Sequence, residues 1–227
     1  MRPLKIVHTE SSLGWGGQEI RILSESQGLI RRGHEVQLIC APQAQIRTEA
    51  ANWGVPVIAL PIDRKRPVGL GALHEWFAAN RSDIVNTHSS TDSWLTALAQ
   101  LALGRPTRIV RTRHISAPVA RGPLSRWLYM RSAARVVTTG EALRRELVER
   151  NGFRASRIES VPTGIDAGRF RPGERKASRA RFGLPQDQTL VGIVATLRSW
   201  KGHSILLDAM TRLPAHIELV IDRKSVV

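Results

Sequence analysis

The sequence predicts an α/β protein built on a mostly parallel sheet, and three observations carry that prediction. Short apolar runs rich in Val and Ile alternate along the chain with helical segments, which is the pattern of successive βαβ units. A glycine-rich loop, Gly14-Trp-Gly16-Gly17, follows the first apolar run and opens a helix. Helical segments stop at glycines, as at Gly33, Gly54 and Gly104, where a left-handed residue can end a helix without a Cβ penalty.

Taken in order, Leu4 to Thr9 is the first strand and Gln18 to Arg32 the first helix, with Ile20, Leu23, Leu29 and Ile30 as its buried side. Strand Glu35 to Cys40, a helix over Gln45 to Trp53 and strand Val55 to Leu60 come next. A weaker helix near Gly71 to Asn80 leads into strand Asp83 to Thr87, and Thr91 to Leu103 is a strongly apolar helix. Strand Thr107 to Arg111, helix Pro123 to Arg131, strand Arg135 to Thr138 and helix Gly140 to Asn151 continue the rhythm, and Ile158 to Val161 ends it. These elements make a first domain over residues 1–166.

Residues 167–188 turn polar and basic, with Pro172, Gly173 and Pro185, and read as an interdomain connection holding one short helix, Lys176 to Phe182. A second α/β unit occupies 189–221: an apolar strand from Leu190, a loop, helix His203 to Leu213 and strand Ile217 to Ile221. One strand–helix–strand unit cannot cover both faces of its own sheet. The second domain is therefore expected to be the truncated start of a larger one, and less stable than the whole. Residues 222–227 break the pattern abruptly and are expected to be a non-native tail.

Composition narrows the classes. With 42% hydrophobic residues the chain can bury a core, which argues against disorder. No apolar run approaches bilayer length, the amino terminus reads as a strand rather than a signal peptide, and the single cysteine, Cys40, has no partner for a disulfide. A cytoplasmic protein fits these features. The formal net charge is +15, and between Arg105 and Arg157 there are 13 arginines against three glutamates. That asymmetry favours an anionic partner: a phosphorylated substrate, a membrane surface or nucleic acid. No recognisable nucleic-acid motif is present and the few aromatics are spread thinly, so nucleic acid is set aside. No cluster with metal-ligand spacing is evident.

Two loops carry candidate chemistry. After the Leu190 strand the chain reads Arg198-Ser-Trp-Lys201-Gly202 and enters a helix. A strand end followed by a helix start attracts anions; a forked Arg and a point-charge Lys there suit a diphosphate, against the plainer reading of a solvated basic loop. In the first loop Gly14 and Gly16 begin a dinucleotide fingerprint, but its third glycine position holds Glu19, which disfavours NAD. The pair Gly16 and Gly17 still lets backbone N–H groups approach a ligand, although a plain turn is its commoner meaning.

The order of motifs is more specific than any one of them. Gly16-Gly17-Gln-Glu19, Arg32-Gly33-His34-Glu35-Val36, Asp83-Ile-Val-Asn-Thr-His88, Arg113-His114, Val136-Val-Thr-Thr-Gly-Glu-Ala-Leu143, Val161-Pro-Thr-Gly-Ile-Asp166 and Arg198-Ser-Trp-Lys201-Gly202 resemble, in sequence and order, the family 4 glycosyltransferases of GT-B fold. The resemblance runs from Lys5 to about Ile221. It implies two Rossmann-like domains and a nucleotide-activated sugar donor, with no cofactor and usually no divalent metal. Carried over by position, Arg198 and Lys201 would grip the donor diphosphate, Gly16 or Gly17 would close over it, and His114 would contact the transferred sugar or the acceptor hydroxyl. Flanking Arg111 and Arg113 are expected to disfavour protonated His114. His8, Asn86 and His88 lie at strand ends, where structural hydrogen bonding and ligand contact are both open readings, and Asp166 would cap or brace the interdomain crossover.

The family's paired glutamates and base pocket have no counterpart in these residues, so the chain by itself is expected to be inactive or nearly so. Retention of anomeric configuration is implied by the family alone. The basic stretch Arg121 to Arg135, with Trp127, Leu128 and Met130, reads either as a helix packing Leu124, Trp127 and Leu128 on the sheet or as a peripheral contact with an anionic inner membrane face. A cell-envelope or lipid-linked acceptor fits the second reading. Two other functions stay open at this point: a GT-B relative that epimerises the nucleotide sugar, and a non-catalytic basic binding module.

Overall fold

Five consecutive buried residues, Ile6 to Glu10, make β1 (Lys5–Glu10) a strand covered on both faces, as parallel sheets require. The computed structural model describes residues 2–104, 107–115 and 117–222 and divides into two units, Met1–Gly164 and Ile165–Val227. In the first unit β1 is joined by β2 (Glu35–Cys40), β3 (Val57–Ala59), β4 (Ile84–Thr87), β5 (Arg108–Arg113), β6 (Ala133–Thr138) and β7 (Ile158–Ser160). All neighbours pair in parallel, in the order β3-β2-β1-β4-β5-β6-β7. The chain thus runs outward from β1 and then returns to β1's other side at β4. That reversal opens a crevice at the carboxyl ends of β1 and β4, where doubly wound sheets take their ligands.

The helices are α1 (Gly17–Arg31), α2 (Gln45–Glu49), α3 (Pro67–Ala79), α4 (Ser90–Ala102), α5 (Pro123–Trp127) and α6 (Glu141–Glu149). α1 ends as the sequence predicts: Gly33, at φ +84°, donates to Ile30, and His34 donates back to Leu29. Its most buried apolar residues are Ile22 and Leu23; Ile20, Leu29 and Ile30 are only half-buried, so the buried face is rotated from the expected one. α3 starts at Pro67, earlier than the sequence predicts, because proline's fixed φ suits the first helical position. α5 is short and passes into a π-helical turn, Leu128–Ser132, where a straight helix to Arg131 is predicted. β5 extends past its expected end at Arg111 to Arg113.

Alternate residues of β2 feed opposite faces. Leu38 and Cys40 pack with Ile22, Leu23 and Ile46, while Ile39 packs with Val7, Leu73, Phe77 and Val85. A third cluster around Val136, Leu147 and Ile158 fills the β5–β7 side.

The second unit holds α7 (Arg175–Arg181), β8 (Thr189–Val194), a 3₁₀ turn at Ser199–Lys201, α8 (His203–Met210) and β9 (Ile217–Asp222). β8 and β9 pair in parallel from Thr189↔Ile217 to Val194↔Asp222. None of the residues 165–222 whose burial is described is buried, and Ile205 of α8 is 75% exposed. Of the expected non-native tail, Asp222 belongs to β9 and residues 223–227 lie outside the described residues.

Candidate active site

The carboxyl ends of β1, β4 and β5 bring together three histidines that are distant in sequence. His8 lies within β1, His88 follows β4 and His114 follows β5. Nδ1 of His8 is 2.8 Å from Nε2 of His88, and Nδ1 of His88 is 2.9 Å from Nε2 of His114. The first two rings are stacked, 5.1 Å between centroids and 8° from parallel. Sequence reasoning placed each of these residues at a strand end but not the chain they form, because pairing across neighbouring strands depends on register.

His8 and His88 are buried and His114 is half-buried. Burial lowers His8 to about 4. Burial, then the field of Arg21, lowers His114 to about 4. His88 is held well below the ordinary histidine range by burial, with His8, His114, Arg21 and Arg111 adding to it. All three are therefore neutral near pH 7. The expected cause for His114 needs correcting. Arg111 and Arg113 both turn to the hydroxyl of Tyr129, at 3.2 Å each, and the cation that acts on His114 is the buried Arg21 of α1.

A neutral imidazole has one N–H and one lone pair, so the chain of bonds has two polarities. Nε2 of His8 is buried without a partner. Bonds running from His114 inward leave an orphaned N–H there, whereas bonds running from His8 outward leave a bare lone pair. Orphaned donors are the rarer defect in buried structure, so the outward polarity is the better one. It puts the proton of His114 on Nδ1, the ring nitrogen turned away from His88.

A second network holds this chain in place. The N–H groups of His88 and Ser89 donate to Asp92 at 2.9 and 2.8 Å, and Thr9 Oγ1 donates to the same carboxylate at 2.8 Å. Ser89 and Asp92 form the capping box of α4. The buried carboxyl of Glu10 accepts from the Ser12 N–H at 2.7 Å, from Ser89 Oγ at 2.5 Å and from the side chain of Gln18. Burial and the nearby Asp92 push Glu10 up, and burial pushes Asp92 up. Glu10 thereby ties β1, the glycine-rich loop, α1 and α4 to one another. Arg21 adds a buried cation, donating to Glu25 at 2.5 Å and to Thr163 at 3.0 Å. Neither Glu10 nor Arg21 is visible as a site residue in the sequence, since both resemble ordinary surface positions.

Gly16 caps α1 with no side-chain bond, in an extended conformation that any residue adopts. A Cβ at Gly17 would meet nothing within 4 Å. The turn's outer surface is therefore open, and internal packing does not demand glycine there. Glu19 is buried rather than solvent-facing. Asn86 accepts from Thr112 Oγ1 at 2.8 Å, and Asp166 caps its own turn through the N–H groups of Gly168 and Arg169. In the second unit Arg198 and Lys201 lie three residues apart in one tight turn, with the Lys201 N–H on the Arg198 carbonyl at 3.0 Å and Gly202 at φ +81° leading into α8. Among the described residues no group of three or more His, Cys, Asp or Glu is arranged to hold a metal ion.

The model of Glycosyltransferase Family 4 matches residues 15–169, which takes in the Gly16–Gly17 turn, His88 and His114. The chain belongs to glycosyltransferase family 4. This family 4 chain is 40% identical over 82 residues to the D-inositol 3-phosphate glycosyltransferase of Mycolicibacterium smegmatis, covering 36% of the chain and 19% of that protein. It is 26% identical over 228 residues to the enzyme of the same name from Mycobacterium bovis, covering 88% of the chain. The chain spans 47% of the length of that relative. Among solved structures, Anabaena HepE in complex with UDP-glucose superposes with a TM-score of 0.76 at 18% identity, covering 98% of this chain and 62% of HepE. The fold is that of GT-B glycosyltransferases.

Proposed function

We propose that this chain supplies the acceptor-side domain, residues 1–166, and the diphosphate-gripping turn of a glycosyltransferase that moves a sugar from a nucleotide-diphosphate donor to an acceptor hydroxyl with retention. In this reading, residues 167–188 connect the domains and 189–221 begin the donor-binding domain. The observation that carries it is the three-histidine chain ending at half-buried His114, at the carboxyl end of β5. Neutral His114, protonated on Nδ1, donates a hydrogen bond to a hydroxyl of the transferred sugar and orients it. Breaking the sugar–phosphate bond leaves negative charge on the diphosphate. Arg198 and Lys201 stabilise that charge, and the Gly16–Gly17 turn of the first unit offers N–H donors of the same kind.

HepE has been crystallised with UDP-glucose, which makes UDP the first donor nucleotide to test. The acceptor we favour is a cell-envelope glycan or lipid-linked sugar, reached from the cytoplasmic face with the exposed arginines of the stretch 121–135, Arg121, Arg126, Arg131 and Arg135, against anionic lipid. Among the described residues no helix is long and apolar enough to cross a membrane. The relatives named for D-inositol 3-phosphate favour a small phosphorylated polyol as the second acceptor to screen. Calorimetric titration of UDP into a protein carrying this chain together with a whole donor-binding domain, and into its Lys201→Ala and Arg198→Ala variants, tests the donor assignment. We expect affinity to fall about tenfold in each, the equivalent of about 1.4 kcal/mol; unchanged affinity in both sinks it.

A further inference from the structure

The amino ends of β6 and β7 lie at the opposite edge of the sheet from His114, since all the strands run parallel. There Arg126, Trp127, Met130, Arg131, Arg154 and Arg157 line a cavity of about 510 Å³. No carboxylate lines it. In and beside this arginine-rich stretch Glu159 faces Arg135, Glu141 holds Arg144 and Glu146 holds Arg150. None of the four cavity arginines has a carboxylate ion pair among the described residues.

Main-chain carbonyls fix two of these guanidinium groups. Nη1 of Arg157 donates to Met130 and Ala133, both at 3.3 Å, and Nη1 of Arg126 donates to Gly152 at 3.3 Å. Each set of bonds occupies one terminal nitrogen, so most of each fork's donors remain. Four cations in one concavity repel each other unless an anion joins them, and the arginine fork matches phosphate oxygens. The remaining wall is apolar. Trp127 stacks on Trp94, with ring centroids 5.7 Å apart, and Met130 lies beside it.

We propose that this cavity binds a phosphate ester, its phosphate on the four arginines and its apolar body against Trp127 and Met130. The site is separate from the transfer site and needs no transferase activity; it rests on the membrane reading above only in that a phospholipid headgroup is one source of such an ester. The test uses the chain, an Arg131→Ala/Arg154→Ala variant, an Arg131→Lys/Arg154→Lys variant, and an Arg31→Ala/Arg145→Ala variant that removes the same charge from exposed positions elsewhere. Each is titrated with inorganic phosphate and with sn-glycerol 3-phosphate, and floated with phosphatidylglycerol or phosphatidylcholine vesicles.

We expect saturable phosphate binding that weakens at least tenfold in the cavity alanine variant, is partly retained by the lysine variant and is unchanged in the control. Flotation with phosphatidylglycerol that falls only in the cavity variant identifies a lipid headgroup. Soluble-ester binding without flotation keeps the cavity and rejects the membrane reading. Equal loss of flotation in the cavity and control variants, or phosphate binding unaltered by the cavity substitutions, overturns the site and leaves only diffuse charge.

Discussion

Nδ1 of His88 stands 2.9 Å from Nε2 of His114, so a buried side chain with no access to ligand dictates which nitrogen of the outer ring carries its proton. His8 Nδ1, 2.8 Å from His88 Nε2, sets the polarity from behind. We predict that ¹⁵N ring shifts of the wild-type chain show His114 as the Nδ1–H tautomer. In His88→Phe, which removes the donor, the Nε2–H form should rise to at least half of the population. Wild-type His114 found mainly as Nε2–H reverses the polarity argued here.

The same cluster predicts how stability varies with pH. The three histidines resist protonation in the folded state, two of them down to about 4. Below the ordinary histidine value the unfolded chain binds protons that the folded chain refuses, so their contribution is lost as pH falls. Glu10 is pushed up to about 8 and Asp92 to about 6, so the folded state keeps protons that the unfolded chain has released, and their contribution is lost as pH rises. Between about pH 4.5 and 6.5 three histidines oppose two carboxyls and stability climbs; above that Glu10 alone acts and stability declines. Each unmatched proton is worth about 1.4 kcal/mol per pH unit. Urea melts followed by tryptophan fluorescence, with five of the six tryptophans in Met1–Gly164, should show a maximum near pH 6.5 and a loss of about 1–2 kcal/mol by pH 8. Glu10→Gln should flatten the alkaline limb. A profile still rising from pH 6.5 to 8 contradicts the raised Glu10.

The strand and helix order of Met1–Gly164 was legible in the sequence because each strand is an apolar run bounded by polar or glycine signals. The π-helical turn at Leu128–Ser132 was not, since its residues suit an α-helix equally well; in the fold its Leu128 and Tyr129 are buried in the cluster with Val136 of β6. His114 was singled out as an expected site residue through its motif. Its partners were not, because a histidine chain spanning β1, β4 and β5 exists only once those strands are in register. Glu10 was hidden for a related reason: nothing local to β1 shows that Ser89, far along the chain, will cover its carboxyl.

Two glycines should respond to alanine in opposite ways. A Cβ on Gly69 would sit 2.6 Å from the carbonyl oxygen of Pro61, a backbone atom that cannot rotate away. Gly69→Ala should therefore cost about 1–3 kcal/mol in urea melts. A Cβ on Gly17 meets nothing, and alanine is the better helix former, so Gly17→Ala should leave stability unchanged or raise it by up to about 1 kcal/mol. On the proposed donor-binding reading its UDP affinity should nevertheless fall several-fold, because the methyl group would narrow the open surface of that turn. Full UDP affinity in a stable Gly17→Ala chain removes this turn from the donor site.

Burial also separates the two units in how fast their backbones open. β1 carries five consecutive buried residues, whereas β8 and β9 have none and their helix α8 leaves Ile205 75% exposed. Opening free energy follows the apolar surface that must be re-exposed, so strands with little to expose open first. Amide hydrogen exchange at neutral pH should therefore complete in Thr189–Val194 and Ile217–Asp222 at least a hundredfold sooner than in Lys5–Glu10 and Ile84–Thr87. Substituting Ile205→Ser on the exposed face of α8 should leave exchange of β1 unaltered, since that strand's protection comes from Ile39, Leu73 and Val85. Equal protection in β8 and β1 would mean that the exposed faces of the second unit are covered in solution, and size-exclusion chromatography with light scattering would then show whether a second copy of the chain covers them.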